Sequence, residues 1–168
     1  MLLGFSGAFR RSELVALDVA DLEECDDGYR VTIRRWKTDQ EGQGFTIAIV
    51  RGHGTSCQVK AVKACWQRAN ITEGAIFRSI RKSGKARVER LSGKAVCDIT
   101  KAYAGRLGLD SAAYWAHSVR AGFLTSAARR GASIFKMRDV SRHKSMDVRS
   151  AYVRDANLFE DHAGAGLL

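Results

Sequence analysis

Residues 28–50 read GYRVTIRRWKTDQEGQGFTIAIV, and there the periodicity of the chain changes. Val31 and Ile33 alternate with Thr32 and Arg34, and Phe45, Ile47 and Ile49 alternate with Thr46 and Ala48. A period of two puts the apolar side chains on one face of a pleated strand. Between the two runs, KTDQEGQG (residues 37–44) is polar and glycine-bearing, so the stretch predicts a β-hairpin with Lys37 near its tip. The rest of the chain reads as helix. The predicted fold is α+β, mainly α-helical, with a small β-hairpin or sheet.

Working outward, residues 2–24 read as one helix, with Leu14 and Leu17 on one side and Ser12-Glu13 as a start signal inside it. Residues 55–69 set Val59, Val62, Trp66 and Ala69 on one helical stripe, a pattern of core packing. Ser92 is a predicted N-cap for a helix carrying Val96, Ile99, Tyr103 and Leu107. AHSVRAGFLTSAARRG (residues 116–131) is a further helix ending at Gly131. Short helices at Ile134–Val140 and Met146–Arg154 lead to an apolar-tipped tail, Leu158-Phe159 and Leu167-Leu168. No repeat, low-complexity tract or linker divides the chain, so residues 1–168 are read as one domain.

A chain of 168 residues can bury about two thirds of its unfolded surface. No apolar run approaches the roughly 18 residues that span a bilayer, and the opening lacks the pattern of a signal peptide. The four cysteines form no C-x-x-C pair. A zinc site or disulfide framework is therefore not expected, and reduced thiols in a cytoplasmic protein are the simplest reading. The prolines number zero, which favours uninterrupted helices.

The net charge of +10 is unevenly spread. Residues 1–50 hold six Lys/Arg against nine Asp/Glu, leaving 22 against nine for residues 51–168. Such a field attracts polyanions, of which nucleic-acid backbones are the commonest. FRSIRKSGKARVERLSGK (residues 77–94) concentrates it in Arg78, Arg81, Lys82, Lys85, Arg87 and Arg90. A charge run of this kind is ordinarily a solvated loop. One with glycines and serines can also lie along a phosphate backbone.

Four local patterns then line up in order: Gly7-Ala8-Phe9-Arg10-Arg11-Ser12-Glu13-Leu14, the hairpin Lys37, His117-Ser118-Val119-Arg120, and His143 followed nine residues on by Tyr152. Together they resemble the tyrosine recombinase (phage integrase) family from about Leu3 to Leu158. H-x-x-R alone is a weak signal; the ordered set is a strong one. The resemblance implies that Arg10 and Arg120 are catalytic arginines, Lys37 the general acid, His117 and His143 pocket histidines and Tyr152 the nucleophile. Glu13 matches an acidic position that supports the pocket. Arg11 lies about 100° round a helix from Arg10 and is not assigned to the phosphate.

These residue types suit phosphoryl transfer. Two guanidiniums can grip the non-bridging oxygens as charge gathers there. His117 and Arg120, three apart on a helix, can meet one phosphate. A tyrosine of pKa about 10 needs nearby cations and a base, which a neutral His117 supplies. An ammonium can protonate the departing 5′-oxygen. No cofactor or metal is required. The resemblance further implies double-stranded DNA as partner and a homo-tetramer on DNA joined through the C-terminal segment, acting in the cytoplasm on mobile DNA.

Two departures accompany the match. The DNA-clamping domain that ordinarily precedes the catalytic one, and the latter's first helix, would be missing ahead of Arg10. Arg142 stands where family members often carry glycine. Three readings remain: a site-specific recombinase or integrase, a type IB topoisomerase-like enzyme sharing the pocket, or a catalytically idle DNA-binding remnant.

Overall fold

The computed structural model describes residues 1–34 and 44–142. Lys37, His143, Tyr152, the helix expected at Met146–Arg154 and the apolar tail lie outside the described residues.

The period-two stretch forms strands β2 (Gly28–Ile33) and β3 (Phe45–Val50), antiparallel with Val31 opposite Ile47 and Ile33 opposite Phe45. Tyr29, Val31, Ile33, Ile47 and Ile49 are buried, while Arg30, Thr32, Thr46 and Ala48 face outward. The alternation therefore holds, apart from Phe45, which stays exposed at the strand end. The sheet gains a third strand that was not expected, β1 (Leu22–Cys25), antiparallel to β2. Its LEEC sequence lacks a buried face, which hid it from pattern reading.

The single helix expected over residues 2–24 is a misreading. The chain instead forms α1 (Leu2–Ser6), a reversal at Gly7–Arg10, α2 (Arg11–Ala16), a 3₁₀ turn at Val19–Asp21 and then β1. Gly7 permits the reversal by leaving room for the buried Phe9 ring: a Cβ at Gly7 would lie 2.6 Å from Phe9 Cδ2 and 2.9 Å from Ile49 Cδ1. Ala8 then takes a left-handed conformation, φ 45°.

Helix α3 (Gln58–Ala69) buries Val59 and Val62 with Trp66 against the same core, and ends on Asn70 in the left-handed region. A two-stranded hairpin follows, β4 (Arg78–Ile80) and β5 (Ala86–Arg90). The basic run is thus a hairpin, not an irregular loop. Helix α4 (Gly93–Arg106) is capped by Ser92 Oγ, which accepts from Ala95 N at 3.1 Å, as expected. Its faces are not as expected. Val96, Thr100 and Ala104 are buried, whereas Tyr103 and Leu107 are 50% and 75% exposed. Helices α5 (Ala116–Arg129) and α6 (Ile134–Ser141) pack through Leu124, Ala128 and Met137 in a smaller second core. Among the described residues, no helix is long and apolar enough to cross a membrane.

Long-range polar clasps tie the hairpin to α2. Arg90 donates to the carbonyls of Val15 (2.7 Å) and Leu17 (3.1 Å) and pairs with Asp18 (2.7 Å). Arg34, just past β2, pairs with Asp18 and Asp21.

The tight fit at Gly7 yields a stability test. Gly7→Ala should cost about 1–3 kcal/mol through overpacking against Phe9. Gly105→Ala, in α4 with open space around it, should gain about 0.5 kcal/mol. Urea denaturation of the two variants checks both signs; equal midpoints would mean that the reversal tolerates a side chain.

Candidate active site

The site begins with the reversal. Gly7 ends α1, Ala8 turns the chain, Phe9 is buried, and Arg10 is extended (φ −68°, ψ 150°) as the N-cap of α2. Glu13, at the third position of α2, is 2% exposed and accepts the Arg10 backbone N–H at 2.8 Å. Its other oxygen accepts from Arg10 Nη1 at 2.6 Å. The start signal read at Ser12-Glu13 is therefore a real helix start, set by Glu13 reaching back to residue 10.

A second guanidinium completes the grip on Glu13. Arg142 Nη2 lies 2.6 Å from Glu13 Oε2, and its side chain is only 3% exposed. Burial alone would raise the Glu13 pKa. Arg142, the Arg10 N–H and both guanidiniums outweigh it and hold the carboxyl below the usual carboxylate range. Glu13 is thus an ionised acceptor with both oxygens taken, a poor general base and a good anchor. Burial also pulls the Arg142 pKa down, against the pull of Glu13.

Arg120, on the second turn of α5, is 1% exposed. It donates to Ala8 O at 2.6 Å and to Ser141 O. Two helices and the reversal thereby meet at one side chain. His117, one turn earlier on α5, is exposed.

Arg10, His117 and Arg120 line one cleft of about 470 Å³, together with Phe9, Arg11, Ser12, Cys97, Trp115 and Ala116. The helical spacing of His117 and Arg120 does bring both to one wall. Reading the sequence as one helix set Arg11 apart from this wall. Because α2 starts at Arg11 and Arg10 is its extended cap, the 100° separation does not apply, and both side chains reach the cleft. Cys97 was also missed. Its thiol is held below the usual range chiefly by the Ala116 N–H and then by Arg11, whose Nη1 lies 3.5 Å away, against a cost of burial. No sequence signal marks Cys97, which joins the cleft from α4 by packing alone.

The six basic residues of the hairpin divide. Arg78 is turned inward, donating to the carbonyls of Ala75 (2.8 Å) and Glu73, and Arg90 clasps α2. Arg81, Lys82, Lys85 and Arg87 are exposed. A tight turn, with Gly84 N donating to Arg81 O at 2.9 Å, presents them at the hairpin end.

Residues 1–158 match the phage integrase family. The chain is 40% identical over 162 residues to an integrase/recombinase xerD homolog of Selenomonas ruminantium, covering 96% of this chain and 48% of that protein. Among solved structures, it is similar to the XerH site-specific recombinase bound to palindromic difH substrate, a post-cleavage complex (TM-score 0.70, 13% identity, 94% of this chain and 41% of that one). It is also similar to the XerA recombinase (TM-score 0.65, 18% identity, 90% of this chain and 49% of that one). The chain spans about half the length of these relatives. The α+β, mainly helical fold is that of these recombinases, and the chain belongs to the phage integrase family.

Proposed function

We propose that residues 1–168 form the catalytic domain of a site-specific DNA recombinase or integrase, cutting and rejoining strands through a 3′-phosphotyrosine. The observation that carries this reading is the shared cleft of Arg10, His117 and Arg120 in a chain of this family. Double-stranded DNA is the partner and the cytoplasm the place of action. In this reading Arg10 and Arg120 bind the non-bridging oxygens of one phosphate, and their hold strengthens as charge builds in the five-coordinate transition state. Tyr152 Oη forms a bond to phosphorus while the bond to the 5′-oxygen breaks. His117 takes the phenol proton, His143 completes the pocket, and Lys37 gives a proton to the departing 5′-oxygen. The phosphotyrosyl bond keeps the energy of the phosphodiester, so the 5′-hydroxyl of another strand can reverse the step without ATP.

The experiment is a covalent trap on nicked DNA carrying a relative's target site, with the chain alone and joined to that relative's N-terminal half. Tyr152→Phe should keep binding and lose the adduct. Lys37→Ala should lose cleavage and regain it when sulfur replaces the bridging 5′-oxygen, a leaving group that needs no proton. The same sulfur should not rescue Arg10→Ala or Arg120→Ala. An adduct that persists in Tyr152→Phe overturns the nucleophile assignment.

Binding supplies a second test. Each phosphate contact adds about 0.9 to the slope of log affinity against log salt. Replacing Arg81, Lys82, Lys85 and Arg87 by serine should flatten the slope by about 3.6 and weaken all sequences alike. An unchanged slope would remove the hairpin from the DNA interface.

The assembly on DNA is a homo-tetramer joined through residues 158–168. Deleting them should abolish tetramers on DNA in sedimentation while leaving the monomer folded. Loss of the fold would place that segment within its own subunit.

A further inference from the structure

Arg142 combines two costs that a simpler residue would avoid. It follows α6 in the left-handed region, φ 56° and ψ 35°, where glycine is unstrained and arginine is not. Its guanidinium is also buried, a place where an unpaired charge is strongly unfavourable. Its contacts offset those costs. Besides Glu13, it donates to the carbonyls of Gly7 (3.3 Å), Ala8 (3.4 Å) and Val140, and its Cζ lies 5.4 Å from the centroid of the Phe9 ring. Arg142 also meets Arg10 from the other side: its backbone oxygen accepts from Arg10 Nη2 at 3.3 Å. Both groups that hold the Arg10 guanidinium, the Glu13 carboxylate and this carbonyl, are therefore fixed by residue 142.

The electrostatic consequence matters more than the packing. Glu13 is needed to aim Arg10, yet a carboxylate 2.6 Å from Nη1 also cancels the positive charge that Arg10 would offer an anion. The equally close Arg142 cancels Glu13 in turn. We infer that Arg142 is a positioning residue that compensates the charge of Glu13, leaving that of Arg10 for the phosphate. It touches no reacting atom and acts through Glu13 and Arg10. This inference rests on the strand-transfer reading for its substrate, but its physical core is anion affinity in the cleft.

The test compares wild type, Arg142→Met, Arg142→Lys and the double variant Glu13→Gln/Arg142→Met. Affinity for inorganic phosphate, measured by thermal shift, is one readout. The rate of adduct formation on nicked DNA is the other. Removing the unit charge that compensates Glu13 should weaken phosphate binding about tenfold in Arg142→Met and slow the adduct by a similar factor. Arg142→Lys, which keeps the charge, should stay within about threefold of wild type. The double variant should recover most of the phosphate affinity lost in Arg142→Met, because anion and cation are removed together. A merely structural role predicts the opposite, with the double variant at least as impaired as the single one.

If Arg142→Met does not fold, the lysine variant decides: a tenfold loss with the charge kept overturns the inference. Methyl substitution at the scissile phosphate, which removes its charge, should shrink the deficit of Arg142→Met; an undiminished deficit also overturns it. Phosphate affinities ordered as expected without any adduct from wild type would sink the strand-transfer reading and leave the role of Arg142 standing. A wild-type adduct with Arg142→Met equal to it in both readouts would do the reverse.

Discussion

The carbonyl of Ala8 is the acceptor on which the site is hung. It receives Arg120 Nη1 at 2.6 Å from 112 residues away and Arg142 Nη2 at 3.4 Å from 134 residues away. Hydrogen bonds from charged donors are stronger than neutral ones, and a buried guanidinium left without acceptors would be costly. A continuous helix through residues 2–16 would turn this oxygen into its own hydrogen-bond ladder and away from both arginines. The left-handed backbone at Ala8 costs about 1 kcal/mol, and two buried cations stabilise it in return. Reversal and arginines thus require each other. The corner between α1 and α2, the start of α5 and the end of α6 are fixed by one oxygen.

That mutual dependence explains what the sequence made legible and what it did not. The strands β2 and β3 were legible because one of their faces is buried and period two follows directly from that. The Ser92 cap, the stripe of α3 and the glycine stop of α5 were legible because each is set by residues within a few positions. The reversal at Gly7–Arg10 was not. Alanine in a left-handed conformation carries no local signal, and its reasons lie at positions 120 and 142. The faces of α4 were misjudged for a related reason. Periodicity shows which side chains are apolar, whereas partners decide which are covered, and here Thr100 is buried while Tyr103 and Leu107 stay out.

Among the candidate site residues, Arg10, Glu13, His117 and Arg120 were legible as parts of ordered motifs. The structure adds what motifs cannot carry. Arg11 joins the cleft because its helix starts later than expected, and Arg142 acts through a carboxylate shared with Arg10. Arg142 stands where the resemblance often has glycine. In three dimensions its backbone keeps the left-handed geometry glycine would allow, while its side chain adds a buried charge.

The charge asymmetry between the two parts of the sequence also changes meaning on folding. Part of the acidic surplus of residues 1–50 is taken up by ion pairs. Asp18 is taken up by Arg34 and Arg90, and Glu24 by Arg51 and Lys63, so three basic residues of the later segment and one of the earlier neutralise acids of the earlier one. Exposed pairs such as those of Glu24 add little stability, but they remove both partners from the net field. Among the described residues, positive charge is concentrated in two places. One is the end of the β4–β5 hairpin, where Arg81, Lys82, Lys85 and Arg87 are exposed and their side chains make no hydrogen bond or ion pair with the described residues. The other is the cleft, where Arg10, Arg11 and Arg120 line the wall and Arg10 pairs with a Glu13 that Arg142 also holds. A phosphate backbone drawn by the first is non-specifically held, since lysines and arginines on a solvated hairpin fix no geometry. A phosphate entering the second meets guanidiniums already oriented by buried carbonyls and a carboxylate. That preorganisation, more than positive charge alone, is what the proposed strand transfer asks of the cleft.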